Sequence, residues 1–238
     1  MASRREQKEQ LRREREQREA AVKAGQRRRQ MIGYAVGGAV VLIAAVIAIA
    51  VLAGGDGGGN ASADVLPDGG SYKEPNDEVE SLAAAAKIGN CELKSFKATS
   101  REHVADPTLK IKYASKPPTS GSHFQVPAED KAYEDAPDVK EIVHTLEHGR
   151  VIIWFRKNLP AQQRASLKAY YDDDPYQIVL TPDETGMPYQ VAVTAWSKDP
   201  EPNGTGRLLG CKRYSDDIFT AIEAFKDEHR SRGPEPVP

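Results

Sequence analysis

Cysteine, methionine and tryptophan are all scarce in this chain, at two, three and two residues among 238. Two thiols, Cys91 and Cys211, permit one disulfide at most, and as metal ligands they would need histidines beside them. Beyond residue 31 the only methionine is Met187, so a soft thioether ligand can come from that position alone. No cysteine lies near the end of the apolar run described below, so lipid attachment there is not indicated. The run Asp172-Asp173-Asp174 lacks the spaced ligands and central glycine of a calcium loop and reads as a solvated turn. Glutamates interrupt the basic amino-terminal stretch, which argues against nucleic-acid binding.

Charge is also absent from Ile32 to Ala53, a run of twenty-two residues. As a helix it spans roughly 33 Å, enough to cross about 30 Å of bilayer hydrocarbon. Arg27, Arg28 and Arg29 stand before it and Gly54, Gly55 and Asp56 follow, so the positive-inside rule places the amino terminus in the cytoplasm. The net charge of -2 conceals a division: residues 1–30 carry +6 and residues 54–238 carry -8. An acidic outer domain argues against polyanionic partners. The competing reading is a cleaved signal with Ala61-Ser62-Ala63 as its site, but the apolar run is longer than a signal segment needs.

Four regions follow. Residues 1–31 form a basic cytoplasmic helix with Glu-to-Arg/Lys pairs four apart, and residues 32–53 form a transmembrane helix. Gly33 and Gly37 have the small-xxx-small spacing that permits weak self-association within the membrane. Residues 54–70, with seven glycines, form a flexible linker, and residues 71–238 form one extracytoplasmic domain. That domain alternates expected helices (77–88, 161–171, 217–229, and 139–147 as a short helix or irregular turn) with expected strands (91–99, 108–113, 151–155, 177–180, 190–195). The fold class is α+β, a mixed sheet flanked by helices. Outside the membrane, Cys91 and Cys211 are expected to form a disulfide closing a loop of about 120 residues.

Three of the five histidines fall between 123 and 148. In His144-Thr145-Leu146-Glu147-His148 the two imidazoles are four apart and share a helix face, with Glu147 beside them. Upstream, Pro117-Pro118-Thr119-Ser120-Gly121-Ser122-His123 presents a third imidazole on a turn. His123, His144 and His148 with Met187 would suit copper, whereas three histidines with Glu147 or water would suit zinc. Binding without turnover is the more economical functional reading. The H-x-x-E-H order also matches inverted zinc peptidases, with Glu223 or Asp227 as a distal ligand, but Gly149 ends the helix too early for that geometry. A third reading gives the histidines no ligand role, only hydrogen bonds that lock loops in a structural or partner-binding domain. The aromatics Trp154, Phe155, Tyr170, Tyr171, Tyr189 and Trp196 fall at core spacing, with a sugar- or peptide-binding cleft as the alternative.

Taken together, P-P-T-S-G-S-H at 117–123, H-T-L-E-H-G-R-V-I-I-W-F at 144–155, V-A-V-T-A-W at 191–196 and the F-K-D-E-H-R helix resemble the bacterial domain-of-unknown-function family 3105. The resemblance covers about residues 75–234. It implies a small membrane-anchored protein with one outer domain and no established activity, and it marks His123, His144, Glu147 and His148 as positions to test. Ala132 before Tyr133 departs from the pattern, where a glycine is expected.

Overall fold

A computed structural model describes residues 65–76 and 78–235. The described residues belong to one compact unit, Ser62–Pro238. The expected cytoplasmic helix, the membrane span, its Gly33/Gly37 face and most of the linker lie outside the described residues. Among the described residues no helix is long and apolar enough to cross a membrane.

Among the described residues seven strands and four helices follow the order α1 (Leu82–Ile88), β1 (Cys91–Lys97), β2 (His103–Val104), β3 (His123–Phe124), α2 (Val139–Glu147), β4 (Val151–Phe155), α3 (Ala161–Asp173), β5 (Ile178–Pro182), β6 (Val191–Ser197), β7 (Thr205–Cys211) and α4 (Ile218–His229). Five strands make a mixed sheet in the order β1-β7-β6-β4-β5, parallel only between β4 and β5, where α3 supplies the crossover. β2 and β3 form a separate two-stranded parallel ladder. The fold is α+β.

Every residue of β4 is buried, because both faces of the sheet are covered. On one face Val151, Ile153 and Phe155 meet Leu167 and Tyr170 of α3 and Phe219, Ile222 and Phe225 of α4. On the other, Ile152 and Trp154 meet Ile142, Val143 and Leu146 of α2, together with Trp196 and Leu208. Each fully buried side chain of this kind contributes about 1.5–3 kcal/mol. The aromatics Trp154, Phe155, Tyr170, Tyr171, Tyr189 and Trp196 are all buried in these two layers, as their spacing suggested. Leu66 joins the first layer and Arg164 donates to the Val65 carbonyl at 2.5 Å, so the packed domain takes in residues at the end of the glycine-rich stretch.

Cys91 and Cys211 stand opposite each other in the β1–β7 register and are joined by a disulfide. An oxidised pair suggests an extracytoplasmic domain. Three expectations change. The first helix begins at Leu82, capped by Ser81, and not at 77. Residues 108–113 form no strand: Leu109 is exposed, while Tyr113 turns inward over Gly121 and donates to the Ser122 carbonyl at 3.1 Å. Residues 205–211, absent from the expected strands, are β7, at the heart of the antiparallel half of the sheet.

Candidate metal centre

The second layer carries the site, and α2 anchors it. Asp138 caps the helix, accepting from the Lys140 N–H at 2.8 Å. Ile142, Val143 and Leu146 face the sheet, which leaves His144 and Glu147, three apart, to share an adjoining face. The helix stops at Gly149, whose φ of +82° suits glycine, and a Cβ there would meet the backbone of Gly233 at 2.9 Å. The carboxy-terminal segment crosses at this point. Glu235 donates its N–H to the Glu147 carbonyl and Ser231 to the Gly149 carbonyl, satisfying acceptors that the helix end leaves open.

The second support is the turn at 117–123. Its prolines, Thr119, Ser120 and Gly121 are buried, with Gly121 at φ +132° beneath the Tyr113 ring. The turn leads into β3, and the β2–β3 register sets His103 directly beside His123. The result is a triangle of imidazoles. Ring centroids of His103, His123 and His144 are 4.7, 4.8 and 4.8 Å apart, with the edge of Trp196 against His123. One donor atom from each of these three, and one from Glu147, all lie within 4.8 Å of one another.

Hydrogen bonds fix how the groups present their lone pairs. His123 Nδ1 is 2.8 Å from the Gly121 carbonyl, which can only accept, so Nδ1 carries the proton and Nε2 keeps its lone pair in the neutral ring. That Nε2 stands 2.9 Å from Glu147 Oε2, yet neither atom has an aligned hydrogen bond. A neutral His123 would set two acceptors face to face here, whereas a doubly protonated ring would donate to Glu147. Glu147 Oε1 accepts from Arg101 Nε at 2.6 Å. His144 Nε2 is 3.0 Å from His148 Nε2, so one of the two is a donor, and His144 Nδ1 is buried with no aligned partner.

Charge states follow from the surroundings. Burial lowers the His144 pKa most, His148 and His123 add to the effect, and the nearby Phe124 backbone opposes it, leaving a value of about 4. His148 is lowered too, by burial and then by Arg150. Burial alone pushes Glu147 upward, but His123 and Arg101 reverse this and hold it at about 2. At neutral pH the pocket therefore offers an ionised carboxylate and an uncharged His144, the forms that bind a metal.

The family described as "Protein of unknown function (DUF3105)" matches residues 103–237, more than half of the chain. The chain belongs to this family. The matched stretch begins at His103 and holds all four converging side chains of the DUF3105 site. No curated protein and no solved structure matches the chain.

Of the residues expected at the site, the DUF3105 fold brings His123, His144 and Glu147 together. His148 stands behind His144, nitrogen to nitrogen, and lines a surface cleft with Asp130, Thr145 and Arg150. Met187 is buried in the apolar layer with Ile152 and Trp154, in a turn fastened by Asp183, which accepts from the Met187 N–H at 2.9 Å. Glu223 and Asp227 lie on α4, which packs on the opposite face of the sheet, and Glu223 is engaged there by Tyr170 and Lys226. No distal peptidase ligand therefore comes from α4. His103 and Arg101 escaped sequence reasoning because their segment is short, polar and without periodicity. The twenty-residue interval between two histidines was the only signal, and it becomes meaningful only through strand pairing.

Proposed function

We propose that this DUF3105 protein is a membrane-anchored extracytoplasmic metal-binding protein whose centre is formed by His103, His123, His144 and Glu147. Zinc suits three imidazoles and a carboxylate; copper(II) is the alternative on the same nitrogen-rich set. The observation that carries the reading is the convergence of four donor atoms within 4.8 Å, three of them on buried side chains. With Nδ1 committed to Gly121, the lone pairs of a neutral His123 and of Glu147 repel at 2.9 Å, and a metal cation or a second proton on the ring relieves them. Donors about 2.0–2.1 Å from a tetrahedral zinc ion stand about 3.3–3.4 Å apart, so the 2.9 Å His123–Glu147 pair must open slightly while the widest separations, up to 4.8 Å, close.

A second reading rests on Arg101. Its 2.6 Å contact already balances the Glu147 charge, and an additional proton on His123 would make the cluster a structural lock. Elemental analysis of the full chain, purified without chelator and then equilibrated with zinc or copper(II), separates the two. One metal per chain, lost in His123→Ala and Glu147→Gln variants that stay folded, supports a metal centre. No bound metal in the unaltered chain overturns it. The membrane anchor rests on the uncharged run Ile32–Ala53 and the basic residues before it. Reporter fusions at the carboxy terminus that are active only in the cytoplasm would refute this topology.

A further inference from the structure

The four donors are not equivalent. His123 is anchored through Nδ1 to the Gly121 carbonyl at 2.8 Å, His144 through Nε2 to His148 at 3.0 Å, and Glu147 through Oε1 to Arg101 at 2.6 Å. All three are buried, at 0%, 5% and 1% exposure. Each thus has one atom committed to an outer partner and one free for the centre, the arrangement that orients metal ligands. His103 differs on every count. Its side chain is 39% exposed, its Nε2 stands 3.9 Å from Glu147 Oε2, and among the described residues no hydrogen bond fixes its ring. Its strand has only two residues.

We propose that the centre is a three-plus-one site: His123, His144 and Glu147 form a fixed tridentate set, and His103 is an exchangeable ligand whose position accepts an exogenous imidazole-type nitrogen donor. The inference rests on the metal reading above and adds how the centre communicates with its surroundings. Sites closed by four anchored ligands are structural, whereas sites with three fixed ligands keep a position for another group. Here the fourth position lies at the mouth of the pocket, beside Arg101, which is one-third exposed, and Glu235, which is half exposed. Exchange needs only rotation of the His103 side chain, because its backbone stays paired with β3.

The test uses the full chain loaded with cobalt(II), followed by its visible ligand-field spectrum and by chelator competition, with imidazole as the added donor. His103→Ala should keep one cobalt per chain with an altered spectrum, and imidazole should restore a wild-type-like spectrum in a saturable way. His123→Ala, His144→Ala and Glu147→Gln should lose stoichiometric metal, unrescued by imidazole. His148→Ala should bind more weakly by about 10- to 100-fold, since it removes an outer partner and not a ligand, with His148→Gln recovering part of the loss. A His103→Ala chain that loses metal as fully as His123→Ala, or whose spectrum ignores imidazole, overturns the three-plus-one assignment while leaving a metal centre in place. An unaltered chain that binds no cobalt overturns both.

Discussion

Replacing Glu147 by glutamine in the metal-free protein isolates the electrostatics of the pocket. The carboxyl is held at about 2 against an ordinary 4.5. At 1.36 kcal/mol per unit this difference corresponds to roughly 3 kcal/mol, and solvent at the partly exposed Arg101 screens some of it, leaving about 2 kcal/mol. Because the folded value lies below the unfolded one, the unfolded chain takes up the proton first as the solution is acidified. The contribution is therefore whole above pH 4.5 and disappears as the pH falls toward 2. Glutamine keeps an acceptor for Arg101 but cannot titrate. Urea unfolding of both chains in the presence of a chelator, from pH 6 to pH 2.5, gives a stability gap at each pH. Carboxylates away from the pocket are shared, so they cancel in the gap. The gap should narrow by about 2 kcal/mol across the range. A gap that stays level refutes the assignment of an ionised, ion-paired Glu147, whatever its absolute size.

Two further outcomes follow from other parts of the domain. Changing Cys91 and Cys211 together to alanine releases a sequence separation of 120 residues. It should cost about 4–5 kcal/mol in urea unfolding with little change in cooperativity, and a loss below about 1 kcal/mol would contradict the chain-entropy account. His229 is pushed down to about 4 by burial and by Arg207 and Arg232, with its ring edge-on to Phe225. Its folded pKa lies below the unfolded 6.5, so acidification from pH 6.5 to 4 should destabilise the domain by on the order of 3 kcal/mol through this group. A His229→Leu chain should lack that portion of the acid sensitivity, and identical pH profiles for the two chains would count against it.

How much of this was legible beforehand depended on whether a residue's role is set by its neighbours in sequence or by those across the fold. Strand β4 was readable to the residue, because five consecutive apolar side chains need cover on both faces. Helix α2 was readable as a short helix or irregular turn because Gly149 ends it, and the structure settles it as a helix capped by Asp138. Strand β7 was hidden by its own function. Gly206 and Gly210 break the apolar pattern, yet a Cβ at Gly206 would strike Thr119 at 2.1 Å and one at Gly210 would strike the Tyr189 ring at 2.3 Å. The residues that disqualify β7 as a strand by propensity are thus the ones that let the 117–123 turn and Tyr189 close on it. The site divides the same way. His144, Glu147 and His148 share one helix, so their convergence is a matter of period. His103 reaches the cluster only because a two-residue ladder places it beside His123, and Arg101 only because it stands two residues before that ladder. Local spacing announced the anchored half of the site. The exposed histidine, His103, is placed by strand pairing that leaves almost no mark in sequence.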